Sequence, residues 1–376
     1  MAQQEYQPGK RNVVAAVLTV AATYGYFLIF AQFGFLKTVL AVAGGRPDAV
    51  KPVMAIMGLA GIAGSALAAK SYRPHHSRVL LMMGFTVCAL AAGLSVVAHS
   101  DGVLQGVALL AGLGTGFATV TLASCLRRAV GGGRLGTIIG AGTGLAYGFC
   151  NLPPVFAAGA SVQAGLGVLA AAAGVAGAAS LEFDAPPHTP GGFDHSLAGR
   201  GAWTLVFLLL VGLDSAAFYI IQHTPALKGE TWSGAGRMEA NAGMHLIAAV
   251  LAGFALDRRW MGRTVAVGAI ALLAACWMID QSAHALGKGA LLYTAGVSIY
   301  STALVFYPAR SLRPGLAAFL YGVAGWGGSA LGIGLAEGRH LLPHAIIGAA
   351  GAVILGVLLL RRFLLGREPA QTGWRG

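Results

Sequence analysis

The sequence predicts an all-α membrane protein: twelve transmembrane helices in two pseudo-symmetric six-helix bundles. Three observations carry this reading. Hydrophobic residues make up 56% of the 376 residues and charged residues only 10%, where a soluble chain usually carries about 25% charged residues. Mean hydropathy is +0.72; a water-facing surface of this composition would precipitate, so the solvent must be mostly lipid. The apolar residues also fall in runs approaching the roughly 20 residues that cross a bilayer, separated by short segments that hold most of the Lys and Arg.

The runs place spans near 13–35, 53–70, 79–99, 103–125, 136–157, 161–181, 203–222, 239–256, 264–280, 289–308, 315–335 and 341–363. The polar opening MAQQEYQPGK leads straight into the first run, which is too long for a signal-peptide core and is expected to remain as a span. That stretch continues to Ala43, which puts Lys37 near the outer surface. A polar stretch after span 6 divides the chain into a first bundle at 1–181, a cytoplasmic linker at 182–201 and a second bundle at 202–376. Several features recur about 190 positions apart. Tyr24 and Gln32 match Asp214 and Gln222, and at the shorter offset of 174 the Tyr147 segment of span 5 matches the Tyr321 segment of span 11. Related halves are the arrangement that alternating-access carriers use.

Glycine, at 57 residues, fits the same picture, because helices in lipid associate through close backbone approach at small residues. The net charge of +12 is a topology signal rather than a nucleic-acid footprint. With the N-terminus cytoplasmic, the inner segments carry eighteen Lys and Arg, against Arg46, Lys51, Lys228, Arg237, Lys288 and Arg339 outside. Positive charge resists translocation, so both termini are expected in the cytoplasm, with the chain a multi-pass protein of a bacterial inner membrane. Cys88, Cys125, Cys150 and Cys276 lie in or at the ends of apolar runs without a C-x-x-C pair, which implies buried thiols and no zinc or disulfide framework.

The loop after span 8 reads GFALDRRWMGR, with Gly253, Asp257, Arg258, Arg259, Gly262 and Arg263. This resembles the loop pattern of the major facilitator superfamily, with one residue extra, and the resemblance extends over essentially the whole chain. It implies that Asp257, Arg258, Arg259 and Arg263 latch the inner gate. The chain departs from the family elsewhere. Its first-half loop has Ala68 or Ala69 where the acid would stand, span 4 lacks the arginine found in many proton-coupled members, and span 5 matches the exporter pattern only in part, through its glycines and Pro153-Pro154.

The strongest site candidates are Asp214 in span 7 and His245 in span 8, each about 17–18 Å above the cytoplasmic boundary at 1.5 Å per residue. A carboxylate at a helix centre costs roughly 2.5–3.5 kcal/mol, so it must be paired, protonated or hydrated, and such residues are functional candidates by default. Consecutive antiparallel spans place the two side chains where they would face each other. Phe218 and Gln222 share a helix face with Asp214, and Asn241 shares one with His245. Gln32 and Tyr24 join them from the matching first-half span, with Asn151 and Tyr300 as further lining groups. A structural tie between spans 7 and 8 is the competing reading of the pair. No Lys or Arg stands securely at midplane depth, which favours a neutral or cationic solute over a strongly anionic one.

The expected function is proton-coupled secondary transport of a small solute by a monomer in the lipid bilayer, with no enzyme activity, no cofactor and no nucleic-acid partner. Two alternatives remain open at this point. One is a copper importer using Met244, His245, Met54 and Met57, on a resemblance to the copper-importing branch of the superfamily. The other is a non-transporting assembly or scaffold protein with the same fold.

Overall fold

The computed structural model describes residues 8–46, 49–183, 197–233, 235–279, 283–339 and 342–365; most of the expected linker and the last eleven residues lie outside them. Each apolar run falls largely within a helix, and no strand occurs among the described residues. In chain order the long helices are α1 (Lys10–Val42), α2 (Val50–Ser71), α3 (Ser77–Val96), α4 (Asp101–Val130), α5 (Leu135–Cys150) and α6 (Ala160–Ser180). They continue as α7 (Leu197–His223), α8 (Ala235–Asp257), α9 (Met261–Ile279), α10 (Ala283–Ser311), α11 (Pro314–Ala336) and α12 (His344–Leu365). Ten of them contain segments long and apolar enough to cross a membrane, while Leu135–Cys150 and His344–Leu360 are shorter apolar helices.

The structure corrects span 5, whose expected run ended at residue 157. The helix stops at Cys150, and Leu152 turns to an extended conformation with ψ 134° before the short helix Pro153–Phe156. A proline disfavours helical geometry in the residue before it, so Pro153 ends α5 and starts the next turn. Asn151 therefore caps the helix, donating to the Tyr147 carbonyl at 2.9 Å, rather than lining a site. Lys37 and Gln163 pin the short helix from outside: Lys37 Nζ donates to the Ala158 carbonyl at 2.7 Å, and Gln163 Nε2 to the Val155 carbonyl at 2.9 Å.

Glycine sets the helix spacing. Gly136, Gly140, Gly144 and Gly148 recur every fourth residue down one side of α5, against Gly253, Ala249, Leu246 and Ala242 of α8. A Cβ on Gly140 would stand 2.3 Å from the Ala249 carbonyl oxygen, and one on Gly253 2.2 Å from that of Gly136. The backbones touch, which only glycine permits. In the same way Gly112 and Gly116 of α4 meet the Met57 and Gly61 carbonyls of α2, and Gly332 of α11 meets the Gly212 carbonyl of α7.

Within the first six helices α2 packs on α4, α3 on α4 and α6, and α1 on α5 and α6. Among the last six α9 packs on α10, α7 on α11 and α8 on α10. The two sets meet most extensively where α5 lies along α8, and also through α2 with α11 and α4 with α10. α1 and α11 each widen into π-helical turns, at Phe27–Gly34 and Tyr321–Gly327. They approach each other beside these turns: the Tyr24 and Tyr321 hydroxyls lie 3.5 Å apart, and Phe27 meets Trp326 edge-on. Single π-turns within α-helices occur frequently at functional sites.

Candidate functional site

Asp214 lies inside α7, about two thirds of the way from Leu197 to His223. Its two carboxylate oxygens accept hydrogen bonds from different residues of α10, Oδ1 from the Tyr293 hydroxyl and Oδ2 from the Tyr300 hydroxyl. Seven residues make nearly two helical turns, so these tyrosines stand one above the other on the same face of α10. No lysine or arginine pairs with Asp214 among the described residues. Asp214, Tyr24 and Tyr147 keep part of their surface accessible although they lie among helices of both sets, so they border internal space rather than solid packing.

His245 is placed differently from the sequence expectation. Its Nδ1 meets Ser298 Oγ at 2.6 Å, and its ring stacks on Tyr147 with centroids 4.8 Å apart. The facing acid–imidazole pair is thus corrected. Spans 7 and 8 do not meet at these residues because α10 supplies the partners of both, Tyr293 and Tyr300 to Asp214 and Ser298 to His245. Tyr147 bridges the two environments: it stacks on His245, feels the charge of Asp214, and its hydroxyl meets Ser301 at 3.2 Å.

Asn241 is occupied elsewhere, donating to the Thr231 carbonyl at 3.0 Å and accepting from Thr294. Gln222 is half-buried, and its Nε2 is buried without a hydrogen-bond partner. Gln32 is half-buried within the π-turns of α1. Toward the end of the molecule that carries Lys37, an aromatic layer covers the Asp214 region. Phe33 packs against Phe218 and Phe156, Phe218 against Trp232, and Trp232 edge-on against Tyr293.

The loop acid also has an unexpected partner. Asp257 Oδ1 accepts from the Gly136 N–H at 2.6 Å, and Oδ2 from the Thr137 N–H and hydroxyl at 2.8 and 2.6 Å. The first amides of α5 have no partner within their own helix, and Arg134 at the N-cap position supplies none. Asp257 caps them from α8, where its charge is favourable beside the positive end of the helix dipole. Of the expected arginine partners, Arg258 lies over the Phe254 ring and Arg263 toward the Trp260 ring, while Arg259 is exposed at φ 64°. The charge acting on Asp257 is that of Arg310 from α10.

The soft-ligand set of the copper reading is not brought together. Met57 is buried with Tyr26, Phe30 and Phe35, with Met54 packed at the margin of that cluster, whereas His245 sits on Tyr147. Among the described residues no group of three or more His, Cys, Asp or Glu is placed to hold a metal ion.

The chain has the fold of the major facilitator superfamily. Among solved structures it is similar to the crystal structure of the human organic anion transporter MFSD10 (TETRAN), with a TM-score of 0.71 and 13% sequence identity over 94% of this chain and 100% of that one. No family model matches the sequence, and no curated protein matches it.

Proposed function

We propose that the protein is a secondary active transporter of a small neutral or cationic solute, coupled to protons and working by alternating access. Twelve spans form two six-helix halves, 1–181 and 202–376, joined by the segment 182–201, with both termini on the cytoplasmic side of a bacterial inner membrane. The observation that carries this reading is Asp214. It is an acid deep in a membrane-spanning helix, bonded among the described residues to two tyrosine hydroxyls and bordering internal space. An intramembrane acid of this kind marks a substrate or proton path by default. The similar transporter of known structure is described as carrying organic anions. A central carboxylate without a basic partner among the described residues supports the opposite preference here, since anion recognition draws on Arg or Lys.

In proteoliposomes, Asp214→Asn is expected to abolish proton-driven uptake and the pH dependence of flux. His245→Ala is expected to lower thermal stability, because it strands Ser298, while keeping the pH dependence. Proton-driven flux that persists in both variants would refute the reading.

A further inference from the structure

We propose that the short helix Pro225–Trp232 is an external lid on the Asp214 site, with Trp232 as its plug, and that it lifts by itself rather than with the parting of the two helix sets. The proposal rests on the carrier reading above for what passes beneath the lid, and adds a second barrier in series with the rocking of the halves.

The aromatic layer over Asp214 is a closed ring. Between centroids, Phe33 lies 5.2 Å from Phe156, Phe156 6.0 Å from Trp232, Trp232 5.6 Å from Phe218, and Phe218 5.7 Å from Phe33. Three of these side chains belong to parts fixed by the fold: Phe33 to α1, Phe218 to α7, and Phe156 to a turn pinned by Lys37 and Gln163. Trp232 instead ends the short helix. It also stands edge-on to Tyr293 at 6.3 Å, and Tyr293 donates to Asp214. The plug therefore rests on a partner of the acid. Tryptophan near a membrane surface commonly sits among the headgroups. Trp232 is only 8% exposed, so its ring fills the mouth of the site instead.

The helix that carries it is held by its inner face alone. Eight residues are too few for a helix to be stable unaided. The docked face is Leu227, Thr231 and Trp232, while Ala226 and Lys228 are exposed. Thr224 before the helix and Ser233 after it are both extended, at ψ 102° and 150°, which places a hinge residue at each end. The helix packs on α7, α8 and α10, all of the second set, and its seal to the first set runs through Phe156. Asn241 is the latch: its Nδ2 donates to the Thr231 carbonyl at 3.0 Å, while its Oδ1 accepts from Thr294. The Glu230–Arg237 ion pair is exposed and adds little.

The test uses the full-length protein in spheroplasts, with Tyr24→Cys as reporter and trimethylammonium-ethyl methanethiosulfonate as probe. This probe does not cross a membrane and reacts with accessible thiols. Position 24 lies about two helical turns inward of Phe33 on α1, so the probe must pass the aromatic ring to reach it. Lys51→Cys and Glu337→Cys, joined as a disulfide, hold the two sets together at the outer end. In that bridged protein labelling should be slow with Trp232 in place and at least about tenfold faster with Trp232→Ala, which removes the whole buried ring. Trp232→Phe should stay close to the slow rate. Asn241→Ala keeps the plug but frees the latch; it should give a several-fold gain and carries the test if Trp232→Ala does not fold. Native Cys88 is buried in the first set and should stay unlabelled throughout; its labelling would mean general loosening and overturn the lid. Equal rates in all bridged variants overturn it as well, and so does a gain that appears only once the bridge is reduced. These outcomes leave the carrier reading untouched, since that reading stands or falls by the pH-dependent flux of Asp214→Asn.

Discussion

At the scale of single residues, the hydroxyl pair on Asp214 has a measurable consequence. Hydrogen bonds to a charged group contribute about 1.5–3 kcal/mol each, which is roughly ten- to over a hundredfold in an equilibrium constant. Tyr293→Phe and Tyr300→Phe each remove one donor and leave the ring. Without the donor the ionised carboxylate is less favoured, so the pH at which flux is half-maximal should rise in both variants and furthest in the double variant. Flux measured across a pH series checks this; an unshifted profile in the double variant would show that Asp214 is not the coupling group. Asp214 was legible in the sequence because an acid in the middle of an apolar run carries a known cost. Of its two partners, Tyr300 was named as a lining group without its bond to the acid, and Tyr293 was not named at all. Tyr293 and Tyr300 are 79 and 86 positions away, and a tyrosine in an apolar run looks the same whether it serves an acid or only packs. His245 was found for the same reason as Asp214, and its expected partner was wrong for a related one. Equal depth on consecutive helices says nothing about a third helix that supplies the partners of both.

At the scale of elements, glycine spacing decides which helices touch. The four-residue repeat from Gly136 to Gly148 lets α5 lie against α8 with backbone on backbone, and the same contact brings Asp257 to the first turn of α5. Gly253→Ala should therefore be severe. Its Cβ would stand 2.2 Å from the Gly136 carbonyl, whereas one on Gly243 of the same helix meets nothing within 4 Å. Overpacking costs typically 1–3 kcal/mol, while alanine for glycine at an open helical position gains about 0.5–1 kcal/mol. Thermal melting in detergent should fall for Gly253→Ala and hold or rise for Gly243→Ala. Equal behaviour of the two would remove the case for a backbone-contact seam. The richness in glycine was visible in composition, and span 5 stood out as glycine-rich. The facing partners of these glycines were not visible, because a stripe of small residues gives the side of a helix and not its neighbour. The end of α5 was misjudged because hydrophobicity continues through Leu152 and Val155 while Pro153 breaks the helix.

At the scale of the molecule, the two helix sets are joined at both ends, which alternating access requires to be undone in turn. At one end Lys51 of α2 pairs with Glu337 just after α11, and Trp326 lies in the groove that Gly58 and Gly61 open on α2. At the other, Asp257 caps α5, and Arg127 of α4 donates to the Arg310 carbonyl of α10 at 2.8 Å. The Lys51–Glu337 pair is exposed, and such pairs contribute about 0–1 kcal/mol; it can break readily and marks a closure more than it holds one. The capped helix end is stronger, because removing Asp257 would leave amide groups of α5 without partners inside a helix contact. Cysteines introduced at Lys51 and Glu337, or separately at Thr137 and Asp257, would tie one end shut. The native Cys88, Cys125, Cys150 and Cys276 are all buried, so reaction should be confined to the introduced pairs. If the halves rock about a central site, a bridge at either end stops flux and a reductant restores it, because a cycle needs each end to open once. Undiminished flux through protein fully bridged at Lys51 and Glu337 would mean that this end never parts during transport. The solute would then have to pass by a route other than the separation of α2 from α11.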